Sequence, residues 1–207
     1  MRKERLEQFN RQNILCAAKA FFLKKGVDKT SMDDIAKGSD TSKSTLYAYF
    51  KSKDDIYYSI AREYMQLLYN AIADCVTKGG GARTVFDGIC TVLVDFERRY
   101  PMCFDYILGK IDCEPEDFER LPVLLDIYDM GEDINRLIVE FFTQAIRSGD
   151  FPADTQALPA VFVLWSSLCA IISMSSNKER YIKTHMKLSR EEFLRFGFDR
   201  LYLTLIR

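Results

Sequence analysis

A run of hydroxyl and phenol side chains between residues 41 and 53 is the part of the sequence best suited to chemistry. The run contains lysine but no carboxylate from Thr41 to Lys53. Hydroxyls and phenols can hydrogen-bond phosphate oxygens, and lysine neutralises phosphate charge, so this composition is typical of a surface that contacts a polyanion. The side chains expected on this outer face are Ser42, Lys43, Ser44, Thr45, Tyr47 and Tyr49.

Two short helices joined by a sharp turn are predicted to position this face. Thr30 and Ser31 can each cap the first helix, with acidic residues three positions on. The segment from Gly38 to Thr41 then interrupts the helix, and Asp40 tolerates the left-handed backbone that a tight turn needs. Ser42 is a favoured cap for the second helix. This pattern predicts a helix-turn-helix, in which the second helix enters the DNA major groove.

Apolar residues define the inner side of the two helices. Met32, Ile35 and Ala36 give the first helix one narrow apolar face, and Leu46 and Phe50 lie four residues apart on the second. Together with the turn they resemble the DNA-binding signature of TetR-family transcriptional regulators. The resemblance extends back from this motif to Ile14 and covers about the first quarter of the chain. The matching positions are Thr30-Ser31-Met32, Ile35-Ala36, Ser42 to Tyr47, Tyr49-Phe50, Ser52-Lys53 and Ile56, and the departures are Asp40, Thr41 and Ser44.

The resemblance implies an all-α fold of about nine helices. A helix-turn-helix DNA-binding domain would span residues 1–53, and a ligand-binding and dimerisation domain would span residues 54–207. Lys43 is the best candidate for a guanine contact, with Thr41 and Ser44 also near base edges. The complete predicted DNA-binding set is Ser31, Thr41, Ser42, Lys43, Ser44, Thr45, Tyr47, Tyr49 and Lys53, of which Thr45, Tyr47, Tyr49 and Lys53 would mainly contact phosphates.

The charge distribution supports a DNA-binding end. Residues 1–53 contain twelve Lys and Arg against six Asp and Glu, whereas the rest contains seventeen against twenty-four. A basic N-terminal region followed by an acidic remainder is typical of a protein that binds nucleic acid through one end. The four basic residues at the start of the first helix fit either a solvated helix end or a basic arm on the DNA backbone: Arg2, Lys3, Arg5 and Arg11.

Other chemistries find little support in the sequence. The chain has one histidine, no C-x-x-C pair and no phosphate-binding glycine loop, so we predict no metal, no cofactor and no enzyme activity. The six scattered cysteines and the charged first thirteen residues, which do not resemble a secretory leader, predict a cytoplasmic protein with reduced thiols.

Helical periodicity organises the rest of the chain. A first helix is predicted from Glu4 to Lys25, and a fourth, with the stripe Ile56, Ile60, Tyr64, Leu67, Ala71 and Cys75, reaches about Lys78. A fifth ends at Pro101, and a short sixth lies between residues 104 and 111. An acidic loop from Asp112 to Glu119, a long helix from Pro122 to Ser148 and a last helix from Ser189 to Ile206 follow.

The segment from Thr155 to Asn177 contains no charge. Its length would suit a membrane span, but Pro159 and six serines and threonines argue against one. We therefore predict no membrane contact. With the amphipathic last helix, this segment would form a self-complementary homodimer surface, which agrees with the four-helix dimer bundle of TetR-like proteins.

The body of the chain is rich in aromatic residues, which could line a pocket for an unknown small-molecule effector or simply form core. The predicted lining is Phe86, Phe104, Tyr106, Tyr128, Phe141, Phe162 and Trp165. The resulting hypothesis is a repressor that a ligand releases from a palindromic double-stranded DNA operator. The alternatives are a helix-turn-helix adaptor that binds protein and, with less support, an all-helical enzyme.

Overall fold

The computed structural model describes residues 2–104 and 115–206, and within these ranges every regular element is helical. The all-α prediction is confirmed. Residues 101–104 are also helical, and Ile182–Met186 is a π-helical turn. The helices are α1 (Arg2–Lys25), α2 (Met32–Gly38), α3 (Lys43–Tyr49), α4 (Lys53–Lys78), α5 (Ala82–Arg99), α6 (Pro115–Arg120), α7 (Val123–Ser148), α8 (Ala157–Asn177), α9 (Glu179–Tyr181) and α10 (Arg190–Leu205).

Close packing of α2 against α1 fixes the N-terminal helices. Ile14 and Phe22 of α1 and Ile35 of α2 are buried. Gly38 ends α2 against the ring of Phe21, where an added Cβ would lie 2.5 Å from a ring carbon. A larger residue at position 38 would therefore require the Phe21 ring or the end of α2 to shift.

The helix caps in this region differ in one respect from prediction. Ser31 caps α2, with a reciprocal hydrogen-bond pair between Ser31 and Asp34. Thr30, the other predicted cap, is buried, and its hydroxyl donates to the Gly26 carbonyl at 2.8 Å. Thr30 therefore closes the loop between α1 and α2.

The buried stripe of α4 differs from the predicted one beyond Ile60. The buried residues there are Met65, Leu68, Ile72 and Val76, whereas the predicted Leu67 is exposed. The buried positions 65, 68, 72 and 76 have the same spacing as the predicted positions 64, 67, 71 and 75, but each lies one residue later. One residue is about 100° around a helix with 3.6 residues per turn, so a neighbouring side of α4 is buried.

The predicted acidic loop was wrong in part, because residues 115–120 form α6. Pro115 stands at the first helical position, acidic residues occupy the first turn, and Arg120 lies in the last. All three features favour a helix. Residues 112–114, and the predicted sixth helix beyond Phe104, lie outside the described residues.

The two long C-terminal helices, α8 and α10, pack against each other. Leu164, Leu168 and Ile172 of α8 are buried, and Ile171 lies against Gly197 of α10. The opposite side of α8 is exposed, including Phe162. Among the described residues, α8 is the one helix that is long and apolar enough to cross a membrane by length and composition.

Packing divides the chain into two compact units. The first contains the chain up to Tyr64 together with α6 and the start of α7, to Ile127. The remaining described residues form the second, so α4 and α7 each contribute to both. In the first unit, Arg62 of α4 pairs with Asp126 of α7 at 2.7 Å. The boundary expected after residue 53 stays a prediction.

Candidate nucleic-acid interface

The turn between α2 and α3 depends on three neighbouring residues. Asp40 adopts a left-handed backbone with φ of 51°, as predicted. The amide of Thr41 then donates to the Ala36 carbonyl at 3.0 Å. Ser39 is buried, and its hydroxyl contacts the Ile35 carbonyl at 2.8 Å and the Thr41 hydroxyl at 2.8 Å. These bonds satisfy the end of α2 and set the direction in which α3 leaves.

Two buried side chains and one cap hold α3. Leu46 and Phe50 are almost completely buried, as predicted. The Ser42 hydroxyl accepts a hydrogen bond from the Thr45 amide at 3.1 Å. The guanidinium group of Arg11 lies over the Phe50 ring, 4.5 Å from its centre. One side of this seven-residue helix is therefore fixed, and the other faces solvent.

The exposed side of α3 contains Lys43, Ser44, Tyr47 and Ala48. Tyr47 is 53% exposed, and the Ser44 hydroxyl lies 2.9 Å from that of Ser42. Lysine, a phenol and hydroxyls can all approach a nucleic acid here. Thr45 is half-buried, so only part of its side chain is available.

Several members of the predicted DNA-binding set have structural partners. Ser31 and Ser42 cap their helices, and Thr41 lies against Ser39. Tyr49 is half-buried, and its hydroxyl accepts a hydrogen bond from the Asn10 amide at 3.3 Å. The Lys53 ammonium donates to the carbonyls of the loop after α1 at 2.8 Å and 3.3 Å.

Lys43 lies beside a carboxylate from the neighbouring helix. Its ammonium is 2.7 Å from Asp33 Oδ1, and both side chains are 64% exposed. The hydrogen bond with Asp33 raises the pKa of Lys43, so the lysine is fully charged at neutral pH. The next carboxylate, Asp34, has its pKa lowered by hydrogen bonds from Lys25 and Ser31.

The supporting roles of three residues at this surface were not identified from sequence. Asn10 and Arg11 of α1 contact Tyr49 and Phe50, and Arg11 also donates to Ser59 at 3.0 Å. Arg11 therefore has a packing role rather than that of a free basic arm. These pairs are 39 and 48 residues apart, and no local pattern indicates them. Asp33 was read as part of a helix start only.

The predicted pocket residues do not line one cavity in the described part of the body. Phe86, Phe104 and Phe141 are buried in the core. Tyr128 and Phe162 are exposed, because they lie on the outer sides of α7 and α8. Trp165 is half-buried, and Tyr106 lies outside the described residues.

The described body does contain an open groove between α4 and α5. It has a volume of about 280 Å³, and its apolar lining includes Leu68, Val92 and Phe96. Arg99 and Asp95 lie at the same groove. None of the seven predicted pocket residues belongs to its lining.

A short, capped helix that exposes lysine, hydroxyls and a phenol, held at a turn against a second helix, defines a helix-turn-helix DNA-binding protein. Residues 14–60 match the family described as bacterial regulatory proteins, tetR family. The match covers α2 and α3 completely, together with the second half of α1 and the start of α4.

Known proteins of similar sequence and fold agree with this class. The biofilm operon icaADBC HTH-type negative transcriptional regulator IcaR of Staphylococcus aureus is 26% identical over 136 residues, covering 65% of this chain and 70% of IcaR. A TetR/AcrR-family transcriptional regulator from Thermobifida fusca has a TM-score of 0.72 at 18% identity, covering 95% of this chain and 98% of that one. FadR from Bacillus subtilis, solved with stearoyl-CoA, has a TM-score of 0.68 at 15% identity, covering 94% and 97%.

Residues 14–60 of the chain match the DNA-binding region of the tetR family, and the chain is similar in sequence and fold to transcriptional regulators of that family. It is a DNA-binding transcriptional regulator. The family and its relatives act in regulation and not as enzymes.

Proposed function

We propose that the chain is a repressor that binds a palindromic operator as a homodimer and is released by a small-molecule ligand. The observation that carries the proposal is the exposed, carboxylate-free side of α3, held by Leu46, Phe50 and the Ser42 cap. Repression is supported by the similarity to IcaR, which is named a negative regulator. The cytoplasm is the compartment where such a protein meets DNA.

The contacts to DNA divide by exposure. Lys43 and Ser44 are exposed at the start of α3 and would reach base edges, and the exposed Tyr47 would donate to a phosphate. Thr41 and Thr45 are half-buried, so only the exposed part of each side chain would contact DNA. Ser31 and Ser42 contribute mainly by capping α2 and α3. Tyr49 and Lys53 can contact phosphates only if they share or leave their present partners, Asn10 and the loop carbonyls.

The homodimer surface would be formed by α8 and α10. On α8 the exposed apolar residues Leu158, Phe162 and Met174 follow one another at multiples of four, and α10 adds the exposed Phe196. Large apolar patches of this kind are uncommon on monomers and typical of interfaces. Two-fold symmetry would then present two copies of α3 to half-sites separated by about 34–36 Å, or a multiple of it.

The ligand site would lie in the second unit. FadR from Bacillus subtilis, whose fold is similar, was solved in complex with stearoyl-CoA, which supports an acyl-type ligand for this chain. The groove lined by Leu68, Val92 and Phe96 has an apolar surface of the kind that such a ligand needs. A ligand releases DNA only through its differential affinity for the bound and free conformations.

The experiment is selection of duplexes from random-sequence DNA by the purified chain, followed by affinity measurement against salt. We expect an inverted repeat and a steep loss of affinity with salt, because phosphate contacts release counterions. Fragments without two-fold symmetry would contradict the dimer. Affinity that does not change with salt would favour the protein-binding adaptor.

The ligand part of the proposal has its own test. Stearoyl-CoA is titrated into the complex of the chain with its selected duplex, with free coenzyme A as control. Weaker DNA binding with stearoyl-CoA alone supports an acyl ligand. If DNA affinity is the same with and without saturating stearoyl-CoA, an acyl ligand is contradicted, but the proposed operator contacts are not.

A further inference from the structure

The ion pair between Asp33 and Lys43 joins the two helices of the DNA-binding motif. Asp33 is the second residue of α2, and Lys43 is the first residue of α3. Their charged atoms are 2.7 Å apart, and both side chains are mostly exposed. Exposed pairs of this kind contribute little to folding stability. The pair therefore matters more for where the lysine points than for whether the motif folds.

Asp33 places negative charge beside a surface that is otherwise suited to DNA. The segment from Thr41 to Lys53 contains no carboxylate, yet the Asp33 carboxylate lies against its first lysine. A carboxylate near phosphates is repelled by them and lowers affinity for every DNA sequence equally. For DNA binding, such a residue is favourable only if it improves discrimination between sequences.

We propose that Asp33 is a specificity-determining residue that positions Lys43 for base reading. This inference rests on the proposed contact of Lys43 with a base. Lysine has a flexible four-carbon chain, and unrestrained it can turn to the nearest phosphate. The Asp33 carboxylate holds the Lys43 ammonium at the junction of α2 and α3. Complexes in which Lys43 turns instead to a DNA phosphate lose this ion pair and are therefore less favourable.

The chemistry of the pair predicts which base pair is read. The Lys43 ammonium has three N–H donors, so it can remain bonded to Asp33 while it donates to the O6 and N7 acceptors of guanine. The ammonium that Asp33 holds is therefore complementary to the guanine of a G·C pair.

Asp54 provides a matched control. It is the second residue of α4, just as Asp33 is the second residue of α2, and each helix has a serine cap. Asp54 is exposed and forms no ion pair with any residue that the structure describes. Asp33→Asn and Asp54→Asn therefore remove the same charge from the same helical position, but only the first releases Lys43.

The test compares the wild-type chain with four variants: Asp33→Asn, Asp54→Asn, Lys43→Ala and the double variant Asp33→Asn/Lys43→Ala. Each is titrated with the duplex recovered by selection, with its single-base-pair changes, and with an unrelated duplex. Thermal melts check that all variants fold. Asp33→Glu serves as the conservative variant that keeps the charge.

We expect Asp33→Asn to lose about five- to tenfold in discrimination at one G·C pair, the lower end of what a good base contact provides. Lys43→Ala loses discrimination at the same pair, and the double variant loses no more than Lys43→Ala alone. Asp54→Asn keeps the wild-type profile, and Asp33→Glu regains part of it. Both Asn variants bind the unrelated duplex at least as tightly as wild type.

The possible outcomes distinguish a failure of the inference about Asp33 from a failure of the proposed DNA binding. If Lys43→Ala changes one base pair but Asp33→Asn behaves like Asp54→Asn, the role of Asp33 is overturned and the base contact stands. If Lys43→Ala weakens all sequences equally, the base contact is overturned, and the inference with it. If no duplex is recovered, the proposed operator binding itself fails.

Discussion

Leu46 and Tyr47 are adjacent in α3 but face opposite ways, which makes them a sensitive test of how the helix is held. Leu46 is 0% exposed and Tyr47 is 53% exposed. Leu46→Ala removes three buried carbons at roughly 0.8 kcal/mol each. A cavity adds to this loss, giving about 3–5 kcal/mol in total. Tyr47→Ala removes an exposed ring, and its effect should stay within about 0.5 kcal/mol.

The loss of stability in Leu46→Ala should be largest in the helices next to the substitution. α3 has seven residues and depends on Leu46, Phe50 and one cap, so it has little else to keep it folded. A short helix is marginal without tertiary packing. We therefore expect faster amide hydrogen exchange in α2 and α3 of Leu46→Ala, together with loss of DNA binding.

The assay combines urea unfolding, hydrogen exchange and titration with the selected duplex. Tyr47→Ala should keep the wild-type unfolding midpoint and exchange pattern, yet bind DNA more weakly, because it would lose the proposed contact of the phenol with a phosphate. The reasoning is refuted if Tyr47→Ala destabilises the protein as much as Leu46→Ala. It is equally refuted if Leu46→Ala leaves both stability and exchange unchanged.

Three further predictions concern other parts of the chain. Phe162→Asp places a charge on the exposed side of α8 and should convert the proposed homodimer to a folded monomer in light scattering; an unchanged dimer mass would show that this side is not the interface. The lowered pKa of Asp34 means that its bond to Lys25 stabilises the fold fully above the ordinary aspartate pKa of about 3.9. That contribution is lost as pH falls below this value, so Asp34→Asn should flatten the acid side of a plot of melting temperature against pH; an unchanged slope would contradict it. Burial raises the pKa of Cys169 to about 12, so a thiol reagent at pH near 8 should modify the exposed Cys16 and reach Cys169 only after unfolding, and early labelling of Cys169 would contradict its burial.

The motif was predictable because its information is local. Ser31, Asp40, Ser42 and the buried Leu46 and Phe50 lie close together in the chain, and each has a strong preference for a cap, a turn or a core position. The bounds of α2 and α3 follow from these preferences. The last helix, predicted from Ser189 to Ile206, is observed from Arg190 to Leu205, and Ser189 is its cap.

The less predictable features depend on contacts between distant residues. Which side of α4 is buried depends on neighbours that the periodicity does not name, so Leu67 and Leu68 exchange roles. The partners of Lys43 and Lys53 come from other helices and loops. The aromatic residues of the body fit a core or a cavity equally well by spacing, and only the packing distinguishes the buried Phe141 from the exposed Phe162.

Protection of guanine N7 from methylation tests the central proposal most directly, because that atom lies in the major groove, where α3 should bind. On the selected duplex, the wild-type chain should protect guanines in two patches on one face, about one helical turn or a whole number of turns apart. Lys43→Ala should lose protection at one position in each patch. Unprotected guanine N7 in a saturated complex would contradict the account, because α3 would then lie outside the major groove.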